Sequence, residues 1–284
     1  MAPDRFVRAL AVLALTASVR VPAEPPGPPA PGGTQPSPDQ KRAIESVAYV
    51  TGGCGLPPSV KLGLIVKETG AFDGYTLIAP LSGSTVSLID MDGRVAHEWK
   101  NLSAPGLVTC LLTNGHLLRT AADESQSSSP FQGGGSGGLV QELSWDGRLL
   151  WEFRHISDDY RLHHDIKPLP NGNVLMISWE RKNAEQAIAA GRDPALMFGG
   201  EIWPDKIIEV KPNYPAGGEI VWEWRVWDHL VQDFDPARPN HGVVAEHPEL
   251  LDLNYDRVNY TPRFAPVQRG GDWTHCNSLD YNPQ

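Results

Sequence analysis

The chain has 284 residues, with 24 Lys plus Arg against 34 Asp plus Glu and a net charge of −10. That balance, without any run of basic residues, excludes non-specific nucleic-acid binding, which needs cationic patches against phosphate. Twenty-eight Gly, 26 Pro and nine Trp predict many turns between short, aromatic-rich strands, and so an all-β class.

Arg5 and Arg8 precede an apolar run from Ala9 to Val19 that is too short to span a bilayer, and Val21-Pro22-Ala23 offers a small-residue cleavage site. Residues 1–23 therefore read as a secretory signal, and the expected location is the periplasm or the cell exterior. No later apolar run is long enough for a transmembrane helix. Residues 24–40 form a Pro/Gly-rich linker. Residues 41–72 are an N-terminal segment of undecided fold; Asp39 could cap a short helix through Val47, and Val60 to Val66 could be a strand. Three cysteines, Cys54, Cys110 and Cys276, leave at least one unpaired in a monomer. Export permits one disulfide, but the pair stays open, as does a homo-oligomer.

From Tyr75 the pattern is regular. Strands are expected over Tyr75–Pro80, Thr85–Asp90 and, after an Asp92-Gly93 turn, Arg94–Trp99. The same phrase returns as Leu139–Leu143, Asp146-Gly147 and Arg148–Phe153, and again as Ile207–Val210, Gly217-Gly218 and Glu219–Trp224. A second phrase, apolar-Asn-Gly-apolar, occurs around Asn114-Gly115 and Asn171-Gly172. Gly93 and Gly147 are 54 residues apart (147 − 93), and Asn114 and Asn171 are 57 apart (171 − 114). Two phrases repeating in step, about four strands per unit with a recurring Trp, predict a β-propeller over residues 73–284. Three long insertions interrupt it. Ser125–Gly138 reads as a flexible Ser/Gly loop, and Glu180–Pro204 carries a short helix over Asn183–Ala190. Val226–Gly271 is polar and aromatic, and its His229, His241 and His247 read as surface residues.

Two polar clusters stand out. In Asp272-Trp273-Thr274-His275-Cys276-Asn277-Ser278, His275 and Asn277 would lie side by side if a strand follows through Leu279 and Tyr281. His163-His164-Asp165 precedes Leu169-Pro170-Asn171-Gly172-Asn173 in a similar layout. A metal centre would need convergent ligands. Strand alternation would send His163, His164 and Asp165 to different faces, so no metal and no cofactor are expected.

Gly74-Tyr75-Thr76-Leu77, the Asp92-to-Trp99 hairpin, the His163-His164-Asp165 cluster and Asp272-Trp273-x-His275-x-Asn277-Ser278 together resemble the bacterial arylsulfate sulfotransferases. The resemblance covers about Gly74 to the end, and its last motif is the most specific. It implies a six-bladed propeller, exported, that moves a sulfuryl group from a phenolic sulfate ester to a phenol. The transfer runs through a sulfated His, without a nucleotide sulfate donor. The residue types suit the task, because preorganised donors stabilise charge spreading over the sulfuryl oxygens. By motif, His275 and His164 are expected as catalytic donors, with Asn277 and His163 binding the substrate. The resemblance puts the nucleophilic His and an anion-binding Arg beyond Asn277. About 210 residues from Tyr75 make only three blades and the start of a fourth, so the chain is expected to be the N-terminal part of a longer propeller. The alternative is a non-catalytic propeller that binds an anionic ligand or a protein partner.

Overall fold

The computed structural model describes residues 64, 66–123, 131, 133–197, 199–255 and 271–283. The signal segment, the linker, Cys54 and the helix expected from Asp39 lie outside the described residues, as does most of the strand expected from Val60. The chain divides into two compact units. The smaller takes in Leu88–Ala96 and residues up to Thr76; the larger takes in Leu77–Ser87 and everything from His97 on. In the smaller unit the Asp90 carboxylate accepts hydrogen bonds from the Asp92 and Arg94 N–H groups at 2.8 and 2.9 Å. Gly93 occupies the left-handed region there, at φ 74°. This is the Asp-Gly turn expected from the sequence.

The described chain is nearly all β. Strands β1 (Thr76–Ile78), β2 (Val86–Ile89) and β3 (Val95–Trp99) form a three-stranded sheet in the order β1-β2-β3. Four strands follow as an antiparallel meander in chain order: β4 (Pro105–Leu111), β5 (Leu117–Ala122), β6 (Gly138–Leu143) and β7 (Leu149–Arg154). A second meander joins β8 (Tyr160–Pro168), β9 (Val174–Glu180), β12 (Asp205–Pro212) and β13 (Gly218–Arg225). Between β9 and β12 lie a short pair, β10 (Lys182–Asn183) with β11 (Glu201–Ile202), and one helix, α1 (Ala184–Ala189). Asn183 caps that helix, and its side chain exchanges reciprocal bonds with Gln186, which fixes where the helix begins. A parallel pair, β14 (Leu230–Val231) with β15 (Leu251–Asp252), completes the described strands.

The two four-stranded sheets bury one core between them. Leu118, Val140, Trp151 and Phe153 from the first meet Leu162, Met176, Ile208 and Val210 from the second. Fully burying a side chain of this size contributes about 1.5–3 kcal/mol. The recurring tryptophans have a specific role. Trp99 on β3 donates its indole N–H to the Ser144 carbonyl at 3.0 Å, and Trp151 on β7 donates to the Gly217 carbonyl at 2.7 Å. In each case the last strand of one sheet is clasped to the final hairpin of the next. Among the described residues, no helix is long and apolar enough to cross a membrane.

The stretch 271–283 departs from expectation, because it forms no ladder strand. Its backbone donors go to carboxylates instead. The Cys276 N–H reaches Asp205 Oδ2 at 2.7 Å, and the Leu279 N–H reaches Asp165 Oδ2 at 2.9 Å. Cys110 and Cys276 are both free thiols.

Candidate functional site: a three-histidine group

β8 would ordinarily alternate its side chains between faces. It does not do so here, because its pairing with β9 slips between Leu162 and Ile166 and His164 sits at φ 51°. A non-glycine residue in the left-handed region stores about 1–3 kcal/mol of strain. The bulge re-aims the side chain, so that His163 and His164 approach one another with Nδ1 atoms 3.1 Å apart. The expectation that alternation would separate these two rings is therefore corrected.

The third ring is His275. Its Nε2 lies 3.4 Å from His164 Nε2. One ring nitrogen from each of His163, His164 and His275 falls within 4.8 Å of the others. Two carboxylates stand behind the group. His163 Nε2 pairs with Asp205 Oδ1 at 2.8 Å, and both members of that pair are buried. His275 Nδ1 lies 2.9 Å from each oxygen of Asp272.

The 271–276 stretch is held against the start of β12. The Asp205 N–H donates to Thr274 Oγ1 at 2.7 Å, and Trp179 Nε1 donates to the Thr274 carbonyl at 3.3 Å. Trp179 stacks on His163, with centroids 3.9 Å apart and planes 9° apart, and packs with Phe131 and Trp203 beneath. The Gly-rich stretch after residue 132 covers the other side. The His164 N–H donates to the Gly135 carbonyl at 2.9 Å. A Cβ at Gly135 would come within 2.2 Å of His164 Cε1, and one at Gly133 within 2.5 Å of Trp179. Rings occupy the space that side chains at Gly133 and Gly135 would need. Residues 124–130 and 132 lie outside the described residues.

Burial, then the neighbouring His163 and His275, push the His164 imidazole down to about 4, so it is neutral at pH 7. Burial alone would raise the Asp205 carboxyl. The hydrogen bond and charge of His163, with the bonds from Cys276, outweigh it and hold Asp205 below the usual carboxylate range. Burial and the Asp205 charge push the Cys276 thiol well above its ordinary value, which keeps it protonated and unreactive.

Of the residues expected from the sequence, His163, His164 and His275 are brought together. Asn277 is exposed. His229 bonds to Trp224 and to the Arg225 carbonyl, and His247 pairs with exposed Glu249; neither joins the cluster. Asp205, Trp179 and the glycines were not singled out in the sequence. An acid opening a strand directly after a proline, Pro204-Asp205-Lys206-Ile207-Ile208, was the available signal for Asp205.

A family model, Arylsulfotransferase (ASST), matches residues 85–284, well over half the chain and including all three histidines with both carboxylates. The chain belongs to the arylsulfotransferase family. No curated protein matches this arylsulfotransferase-family chain. Among solved structures it is similar to a Bacteroides caccae protein of unknown function, determined at 1.35 Å. The two share 15% identity over 52% of this chain and 39% of that one, with a TM-score of 0.30.

Proposed function

We propose that this protein takes part in sulfuryl transfer from a phenolic sulfate ester to a phenol, with the three-histidine group receiving the sulfuryl oxygens. The observation that carries the reading is the convergence of His163, His164 and His275, with Asp205 and Asp272 behind two of them. A ring backed by a carboxylate can take a second proton and stay ion-paired. It then presents an inward N–H to an oxyanion. His275 and His164 act as the donors nearest the moving group, and His163 completes the cradle. In the covalent step, an imidazole lone pair forms an N–S bond as the S–O bond to the aryl oxygen breaks, and the phenolate leaves. A phenol then attacks sulfur, loses its proton and regenerates the imidazole. None of the three rings is assigned this carrier role, which the resemblance places beyond Asn277. The successive antiparallel sheets, clasped by Trp99 and Trp151, are read as blades of a propeller, with β8 the innermost strand of its blade. Export to the periplasm or cell exterior belongs to the same reading.

The test is release of 4-nitrophenol from 4-nitrophenyl sulfate with and without added phenol. Transfer requires release to accelerate with phenol. Release indifferent to phenol would mean hydrolysis, and binding without release would mean a non-catalytic anion site.

A further inference from the structure

With all three rings neutral, the hydrogen-bond directions in the three-histidine group do not close. Asp205 Oδ1 accepts from His163 Nε2, so in the neutral ring the proton sits on Nε2 and a lone pair on Nδ1. Asp272 accepts from His275 Nδ1, so the His275 lone pair is on Nε2. Both lone pairs point at His164, toward its Nδ1 at 3.1 Å and its Nε2 at 3.4 Å. A neutral His164 has one N–H and satisfies only one of them. The other contact sets lone pair against lone pair in a half-buried site.

We propose that this group is a site for a divalent ion of the zinc class, bound through His163 Nδ1, His275 Nε2 and one ring nitrogen of His164. Each feature of the arrangement fits that donor set. Imidazole suits zinc, and three protein ligands with one position left open is the pattern of zinc sites that take an exogenous ligand. Tetrahedral zinc with bonds of about 2.0–2.1 Å places neighbouring nitrogens about 3.3 Å apart. Whichever His164 nitrogen ligates already stands near that spacing from one partner, Nδ1 at 3.1 Å from His163 or Nε2 at 3.4 Å from His275, and one nitrogen from each ring lies within 4.8 Å of the others, so binding would draw the rings together by rotation. Asp205 and Asp272 take the outer-carboxylate place that fixes the tautomer and orientation of a ligating histidine. The left-handed backbone at His164 is what delivers the third ligand from the residue next to the first. The proposal does not rest on sulfuryl transfer. With an ion bound, its open position, rather than ring N–H groups, would meet an oxyanion.

The experiment is calorimetric titration of the full chain, stripped with a chelator, with zinc chloride and no sulfate ester present. One ion per chain is expected. Asp205→Asn should weaken binding about 10–100-fold. His275→Gln, at a less buried position, should weaken it at least as much. Thermal melts of both variants verify that they fold. Cobalt(II) added to the unaltered chain should give the intense visible bands of a near-tetrahedral site, a readout that needs no variant. The absence of a saturable one-to-one site in the unaltered chain would overturn the proposal. So would undiminished binding by folded His275→Gln. Phenol-dependent turnover in stripped protein would leave the proposed function intact while removing any need for the ion.

Discussion

Replacing Asp205 with alanine removes the acceptor of two hydrogen bonds, from His163 Nε2 at 2.8 Å and from the Cys276 N–H at 2.7 Å. The Cys276 amide has no other tautomer, so its bond to a charged acceptor is lost outright, at about 1.5–3 kcal/mol. His163 can shift its proton to Nδ1, and its loss is nearer about 1 kcal/mol. Against this stands the relief of a buried charge. The direction of the Asp205 shift decides which wins: burial raises this carboxyl, yet it lies below its ordinary value, so the interactions outweigh desolvation. The expected loss is about 3 kcal/mol, within the range for breaking a buried pair. With a urea slope of ~3 kcal/mol per molar, suited to a chain of this size, the midpoint falls by about 1 M. Tryptophan fluorescence follows the transition, and Trp179 on His163 is a local reporter. A loss under about 0.5 kcal/mol, the range of an ordinary surface change, would refute the reasoning.

Gly135→Ala places a Cβ 2.2 Å from His164 Cε1 at φ 71° and should cost about 1–2 kcal/mol for the backbone alone. It should also lower phenol-dependent turnover at least ~10-fold, by displacing the ring; assays of turnover beside melts check both. His275→Ala should lower kcat by about 10²–10³, the effect of removing one oxyanion donor, as measured with 4-nitrophenyl sulfate. His155 is buried, with Nε2 unpartnered, and burial lowers it from 6.5 to about 3. The unfolded chain therefore binds the proton first. Stability is full above pH 6.5 and falls progressively toward pH 3, by on the order of 4 kcal/mol. His155→Phe, which keeps the stacking with Phe153 and Tyr160, should flatten that part of a urea-midpoint series against pH. Trp151→Phe removes one of two hydrogen bonds to the Gly217 carbonyl, which keeps the Asn213 N–H at 3.1 Å, and should cost about 0.5–1.5 kcal/mol for the lost bond, read from thermal melts.

The hairpins were legible because their causes are local. Gly93, Gly115, Gly147, Gly172 and Gly217 all take φ between 74° and 86°, and each lies at a turn expected from its dipeptide or spacing. The helix was legible for the same reason, since Asn183 and Gln186 carry its capping box. Three of the site's rings were legible as residue types in polar clusters. Their convergence was not, because it depends on a slip in β8 that no residue in Leu162–Ile166 announces, and on the pairing of distant chain segments. Asp205 is 42 residues from His163 and 71 from Cys276, and only folding brings the three together. The close approaches at Gly133 and Gly135 were not legible, since the absence of a side chain serves mobility in one setting and close packing in another.

The slip in β8 also means that the site is encoded by a count of residues as much as by their identity. From Leu162 to Ile166 β8 takes four steps where β9 takes two, from Met176 to Ser178, so two residues are surplus to the ladder. Deleting Asp165 alone would leave both histidines in the text of the sequence but cut that surplus to one, and so change the face each ring takes. Relatives could thus share the histidines and differ in whether the three rings meet, and the length of this strand between Leu162 and Ile166 is the mark by which to sort them.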